Sequence, residues 1–139
     1  MPSIDQIERR SLALAAGFLG LFSLALTLSP AARARSWDVV YRWDHWLGWL
    51  LWLVSMGLVH LFVVRTLPNR DPYLLPIAAL LSGWGILTIW RLYPSYGLRQ
   101  SIWLMVATGV FIMMGRKSNL LPLLRQYKYL LLSGGLVLT

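Results

Sequence analysis

Long apolar runs alternate with short polar segments along most of the chain. Four runs have almost no charged residue and are long enough, at 1.5 Å per residue, to cross much or all of a hydrocarbon core about 30 Å thick. They lie at 11–29, 45–64, 74–90 and 100–114. The pattern predicts an all-α fold, a polytopic bundle of four transmembrane helices.

The last apolar run, residues 129–139, is shorter than the others. As a helix it would reach only about 16 Å, roughly half of the hydrocarbon core. A chain terminus near the middle of a bilayer is costly. We therefore expect the start of a fifth span and, with it, the front portion of a longer polytopic protein; the alternative is a short interfacial or re-entrant tail.

The segments between the runs contain the residues that interrupt helices. Pro68 and Pro72 separate the second and third runs, and residues 93–97 (Tyr-Pro-Ser-Tyr-Gly) predict a tight turn before the fourth. Small residues after Pro30 resemble a signal-peptide cleavage site, but the preceding apolar run is of span length, which favours an uncleaved helix.

Composition agrees with a membrane protein and excludes other classes. The chain is 58% hydrophobic and 13% charged, against about a quarter charged in soluble domains. It has no cysteine, so it forms neither disulfides nor thiolate metal sites. The net charge of +8 comes from short basic clusters between apolar runs, which is an orientation signal and not the footprint of a nucleic-acid-binding surface.

The basic clusters also predict an orientation. With the N-terminus in the cytoplasm, the cytoplasmic side carries eight lysines and arginines and the opposite side five. The positive-inside rule therefore predicts a cytoplasmic N-terminus.

Two histidines, His45 and His60, fall on the second predicted helix and share a broad face. Either could be a single axial ligand to a haem or pigment, which would make the chain a small non-enzymatic membrane subunit of a larger complex. The interpretation we favour is structural. It pairs His45 with Asp44 at the outer interface and makes His60 a polar contact between helices near the inner end.

No motif for catalysis is present. The sequence contains no His-Glu-x-x-His, no phosphate-binding loop and no nucleophile elbow, so no catalytic residue, metal site or cofactor is predicted. Asp38 and Asp44 follow basic residues in a wet loop and are interpreted as solvated. Gly83 and Gly85 are predicted to be points of close helix packing.

Residues 71–139 resemble the opening of a known family. The segment Asp71-Pro-Tyr-Leu-Leu-Pro-Ile-Ala-Ala-Leu-Leu-Ser-Gly-Trp-Gly-Ile-Leu is similar to the first helix of the SEDS family (RodA/FtsW/SpoVE proteins). Arg99-Gln-Ser-Ile-Trp resembles the entry into its second helix, and Leu123-Leu-Arg-Gln-Tyr-Lys its following basic loop. The residues after the first helix, Arg91-Leu-Tyr-Pro, depart from the Ser-rich patch common in the family. By this resemblance, residues 1–70 form two additional leading helices and 71–139 the start of the SEDS-like domain.

The resemblance implies a glycosyltransferase of the bacterial cytoplasmic membrane that polymerises lipid II into peptidoglycan for cell shape or division. The implied partners are membrane lipids, lipid II, a class B penicillin-binding protein and other membrane subunits. The family's catalytic acid lies in a later loop, so this chain is expected to be inert by itself. Arg99 is a candidate contact for a lipid phosphate. The alternative role for Arg99 is an interfacial arginine that sets topology.

Overall fold

A computed structural model of the chain describes residues 3–116 and is all-helical over this range. Each of its four helices is long and apolar enough to span a membrane, which confirms the four predicted spans. The expected fifth span and the basic loop around Arg125 lie outside the described residues. The helices are α1 (Ile4–Ala34), α2 (Asp44–Thr66), α3 (Leu74–Leu92) and α4 (Pro94–Arg116).

Helix α1 is longer at both ends than its apolar run. Ser3 caps its N-terminus in a capping box with Gln6, and Pro30 is accommodated inside the helix. The helix ends at Arg35, whose left-handed backbone (φ 50°) stops further propagation. Its 31 residues extend about 46 Å, more than the hydrocarbon thickness, so polar turns project beyond the apolar part.

The predicted turn at 93–97 is wrong. Pro94 is the first residue of α4, a position where its missing N–H breaks no helical hydrogen bond and its fixed φ suits the helix. The break between the two helices is confined to Tyr93, whose extended backbone separates α3 from α4. Its N–H still bonds the Ile89 carbonyl at 2.8 Å, and its own carbonyl accepts from Gly97 at 3.0 Å.

Helices α1, α2 and α3 pack together around a small apolar core within the compact unit that ends at Thr108. Leu19 and Trp52 are almost fully buried there. Gly83 makes their approach possible, because a Cβ at this position would collide with the Leu19 side chain and lie 2.9 Å from the Trp52 indole nitrogen. The packing role predicted for Gly83 is confirmed. For Gly85 it stays a prediction, since a Cβ there would meet no described atom within 4 Å.

Trp90 joins α3 to two neighbouring helices in the same unit. Its indole fills the space left by Gly48 of α2 and Gly97 of α4, where an added Cβ would overlap the ring. The indole N–H donates to the Ser101 hydroxyl at 3.0 Å, and that hydroxyl donates to the Gly97 carbonyl at 2.8 Å. Trp90 thereby fixes the start of α4 against the bundle. Residues 109–116 belong to a second compact unit, of which the described part continues α4.

Candidate functional site

A cluster of ionisable side chains surrounds a buried glutamate at the end of the bundle where α1 begins. Its members are Asp5, Glu8, His60 and Arg70, called here the Glu8 cluster. Glu8 is fully buried; one carboxylate oxygen accepts from His60 Nδ1 at 2.6 Å and the other from Arg70 Nε at 2.5 Å. Arg70 also donates through Nη2 to Asp5 at 2.5 Å and through Nη1 to the Leu67 carbonyl at 3.0 Å.

Three different segments supply this cluster. Glu8 lies in the second turn of α1, on the same buried face as Ala15 and Leu19. His60 lies near the end of α2, and Arg70 lies in the connection that leads to α3. The cluster therefore ties the start of α1 to α2 and to the α2–α3 connection.

The chemistry of the cluster favours fixed charges. A buried carboxylate without partners is strongly disfavoured, so Glu8 requires both of its donors. Burial lowers the pKa of Arg70, but hydrogen bonds and attraction from Glu8 and Asp5 outweigh burial and raise the pKa above its ordinary value. Arg70 is thus a permanent cation, and its planar fork can serve two carboxylates and a carbonyl together.

The sequence interpretation missed this cluster. Glu8 is the single glutamate in the chain and is followed directly by two arginines, so it reads as part of a solvated leader. The capping box at Ser3 and Gln6 was the available signal, because it places Glu8 inside the helix. For His60, the predicted polar contact between helices near the end of α2 is confirmed by its bond to Glu8.

His45 lies towards the opposite end of the bundle and is buried against α1. The predicted pairing with Asp44 is wrong. Its Nε2 lies 2.8 Å from the Ser23 carbonyl and 3.2 Å from the Thr27 hydroxyl, which also accepts from the Trp46 indole at 3.0 Å. In a water-poor interior these α1 acceptors are better partners than a carboxylate that already has access to water.

These bonds define which imidazole nitrogens carry protons. A carbonyl and a carboxylate only accept, so Nε2 of His45 and Nδ1 of His60 are the donors. A haem or pigment ligand would have to use the other nitrogen of either ring, and that alternative stays a prediction. Within the described range, no three His, Cys, Asp or Glu side chains group to hold a metal ion.

Arg99 is exposed in the second turn of α4. A cavity of about 60 Å³ near the ends of α1 and α3 is lined by Arg42, Asp44, His45 and Arg91, but not by Arg99. Over residues 3–116 Arg99 has no carboxylate partner. The structure leaves it available to phosphate and does not bring it into a preformed site, so the lipid-phosphate role stays a prediction.

Comparison with known proteins finds a partial similarity. No protein-family model matches the chain, and no solved structure matches it. The peptidoglycan glycosyltransferases RodA of Mycobacterium bovis and of two Mycobacterium tuberculosis strains are each 35% identical to it over 80 residues. The match covers 50% of this chain, which spans only 17% of the length of these relatives. The part of the chain that the structure describes is thus all-helical, with four helices of membrane-spanning type, and the chain is similar to RodA over half of its length.

Proposed function

We propose that this chain is the N-terminal membrane segment of a SEDS-type, lipid II-dependent peptidoglycan glycosyltransferase that acts in cell shape or division. The observation that carries the proposal is the 35% identity to mycobacterial RodA over half of the chain. It agrees with the resemblance of Asp71 and Arg99, with their surrounding residues, to SEDS helix entries. The protein would lie in the bacterial cytoplasmic membrane with its N-terminus inside, beside a class B penicillin-binding protein.

Within such an enzyme the segment would serve as a scaffold and would not carry the reaction. Glu8 is fully buried and bonded to both His60 and Arg70, so it has no access to a sugar substrate. Asp5 bonds Arg70, and the Asp71 carboxylate accepts the Tyr73 backbone N–H at 2.9 Å, which supports the turn before α3. Because these three carboxylates are already bonded within the protein, structural roles are favoured for three of the five acids. The catalytic acid would lie elsewhere in the enzyme.

The bound lipid would be oriented by exposed basic groups. Arg99, free of carboxylate partners across the described range, could grip the oxygens of a lipid pyrophosphate with two parallel N–H bonds. This role requires that the start of α4 face the same leaflet as lipid II, as the predicted orientation provides.

The proposal is tested by the intact mass of the protein purified from its native membrane, together with the 3′ sequence of its gene. The expected result is a mass well above the 15.9 kDa of these residues, with further spans encoded. The purified product, supplied with a class B penicillin-binding protein, should then convert fluorescent lipid II into glycan strands.

A mass of 15.9 kDa with a stop codon directly after Thr139 would contradict the enzyme proposal. It would leave the alternative of an accessory membrane subunit. In that case absorbance spectra of the purified protein, with His45→Ala and His60→Ala as variants, would show whether a chromophore is bound.

A further inference from the structure

An apolar groove runs between α1 and α2 on the surface of the first compact unit. Its walls include Leu12 and Ala16 of α1 and Leu53 and Met56 of α2, and it encloses about 250 Å³. That volume equals roughly eight water molecules at about 30 Å³ each. Water gains little in a groove with such walls, whereas a hydrocarbon chain fits both the walls and the surrounding bilayer.

Gly57 keeps this groove open. It lines the groove, and a Cβ at this position would meet no described atom within 4 Å. The space beside Gly57 is therefore not needed for packing α1 against α2. A larger side chain there would start in open space and extend into the groove.

The groove ends at one arginine, Arg9. Arg9 and His60 line its end nearest the start of α1, about 10 Å along the helix from Ala16. Arg9 is exposed and, among residues 3–116, has no carboxylate within ion-pair distance. Of the three acids at this end, Asp5 and Glu8 are already bound by Arg70 and His60, and Asp71 accepts the Tyr73 backbone N–H.

Because the nearby acids are bound elsewhere, the positive charge of Arg9 has no carboxylate partner at the mouth of this apolar groove. An arginine at this position favours an anionic group, and a phosphate accepts its two parallel N–H bonds. A second apolar helix would fill the walls but would not satisfy Arg9. A zwitterionic lipid offers a phosphate with less net attraction than an anionic one.

We propose that the α1–α2 groove binds one anionic glycerophospholipid, with an acyl chain along the groove past Gly57 and the headgroup phosphate on Arg9. The bound lipid belongs to the leaflet that faces the start of α1. The lipid fills the space between the two helices and neutralises the charge that the Glu8 cluster leaves. The site does not depend on the glycosyltransferase proposal.

Native mass spectrometry of the full chain in detergent tests this, with phosphatidylglycerol and phosphatidylcholine of identical acyl chains supplied together. The wild type should retain phosphatidylglycerol in preference by about five-fold, the order expected for one arginine at a membrane surface. Arg9→Gln should remove most of that preference. Arg10→Gln, its neighbour outside the groove, should keep it.

Gly57→Leu should abolish retention of the lipid in one-to-one stoichiometry. Gly17→Leu is the matched control, because a Cβ at Gly17 also meets no described atom within 4 Å and Gly17 does not line the groove. Retention unchanged by Gly57→Leu would overturn the proposal, as would equal losses in Arg9→Gln and Arg10→Gln. A dimer without retained lipid would overturn it too. If Gly57→Leu does not fold, the arginine pair decides the question.

Discussion

Removing the Glu8 carboxylate should destabilise the bundle far more than removing the Asp5 carboxylate, although both bind Arg70. Glu8 is fully buried, whereas the Asp5 side chain is 57% exposed. In Glu8→Ala, Arg70 and His60 lose their shared partner while remaining 7% and 17% exposed. Breaking a buried charge pair by removing one partner costs about 3–5 kcal/mol, and an exposed pair contributes about 0–1 kcal/mol.

We therefore expect Glu8→Ala to lower the free energy of unfolding by about 3 kcal/mol, at the lower limit because Asp5 still holds Arg70. Asp5→Asn should lower it by less than about 1 kcal/mol, because water already solvates that carboxylate. The assay is reversible unfolding of the purified protein in mixed micelles, titrated with a denaturing detergent and followed by the helical circular dichroism signal.

The reasoning is refuted if the two variants lose the same stability, or if Glu8→Ala is neutral. Equal losses would mean that Glu8 is hydrated in the membrane protein and that its burial between helices does not persist. A double-mutant cycle with His60→Ala separates the two bonds of Glu8: a coupling energy near zero would assign the whole effect to Arg70.

Three further predictions use the same unfolding assay. Gly83→Ala should cost about 1–3 kcal/mol through overpacking, while Gly85→Ala, in open space, should cost nothing or stabilise the helix; equal effects would contradict the close packing at Gly83. The raised pKa of Arg70 means that its contribution is complete below the ordinary arginine pKa and is lost only as pH rises through the folded value. The destabilisation by Arg70→Gln should therefore be constant from about pH 7 to about pH 10, and a cost that disappears within this range would show that Arg70 deprotonates there. His45→Ala should cost about 1 kcal/mol because the buried Ser23 carbonyl loses one of its donors and keeps the Thr27 hydroxyl; a neutral result would mean that water replaces the imidazole.

The spans were predictable from the sequence because hydrophobicity is a local property. A run of apolar residues needs lipid or a core wherever it lies, and its length alone decides whether it can cross a bilayer. This argument gave all four helices, including α3, whose predicted start at Leu74 agrees with the structure. It failed at α1, where polar turns continue the helix, and at Pro94, where a proline that suggested a turn begins a helix.

The charged cluster was decided by tertiary structure. Glu8 meets partners that lie 52 and 62 positions later in the chain, and no local pattern specifies which of the basic residues will reach it. The same holds for His45, which bonds acceptors on α1 that are 18 and 22 positions away and does not pair with the adjacent Asp44. Burial changes how much a charge or a hydrogen bond contributes to stability, and burial is a property of the packed helices.

The two glycines of α3 show the same difference between what the sequence predicts and what the packing of the helices decides. Gly83 and Gly85 have the same residue type and nearly the same neighbours in sequence, so the sequence supports the same prediction for both. The rotation of α3 about its axis places Gly83 against Leu19 and Trp52, whereas a Cβ at Gly85 would have no described atom within 4 Å. Hydrophobicity along the chain thus determines which segments enter the membrane, and the facing of the helices determines which polar groups are buried, because burial depends on contacts between distant segments.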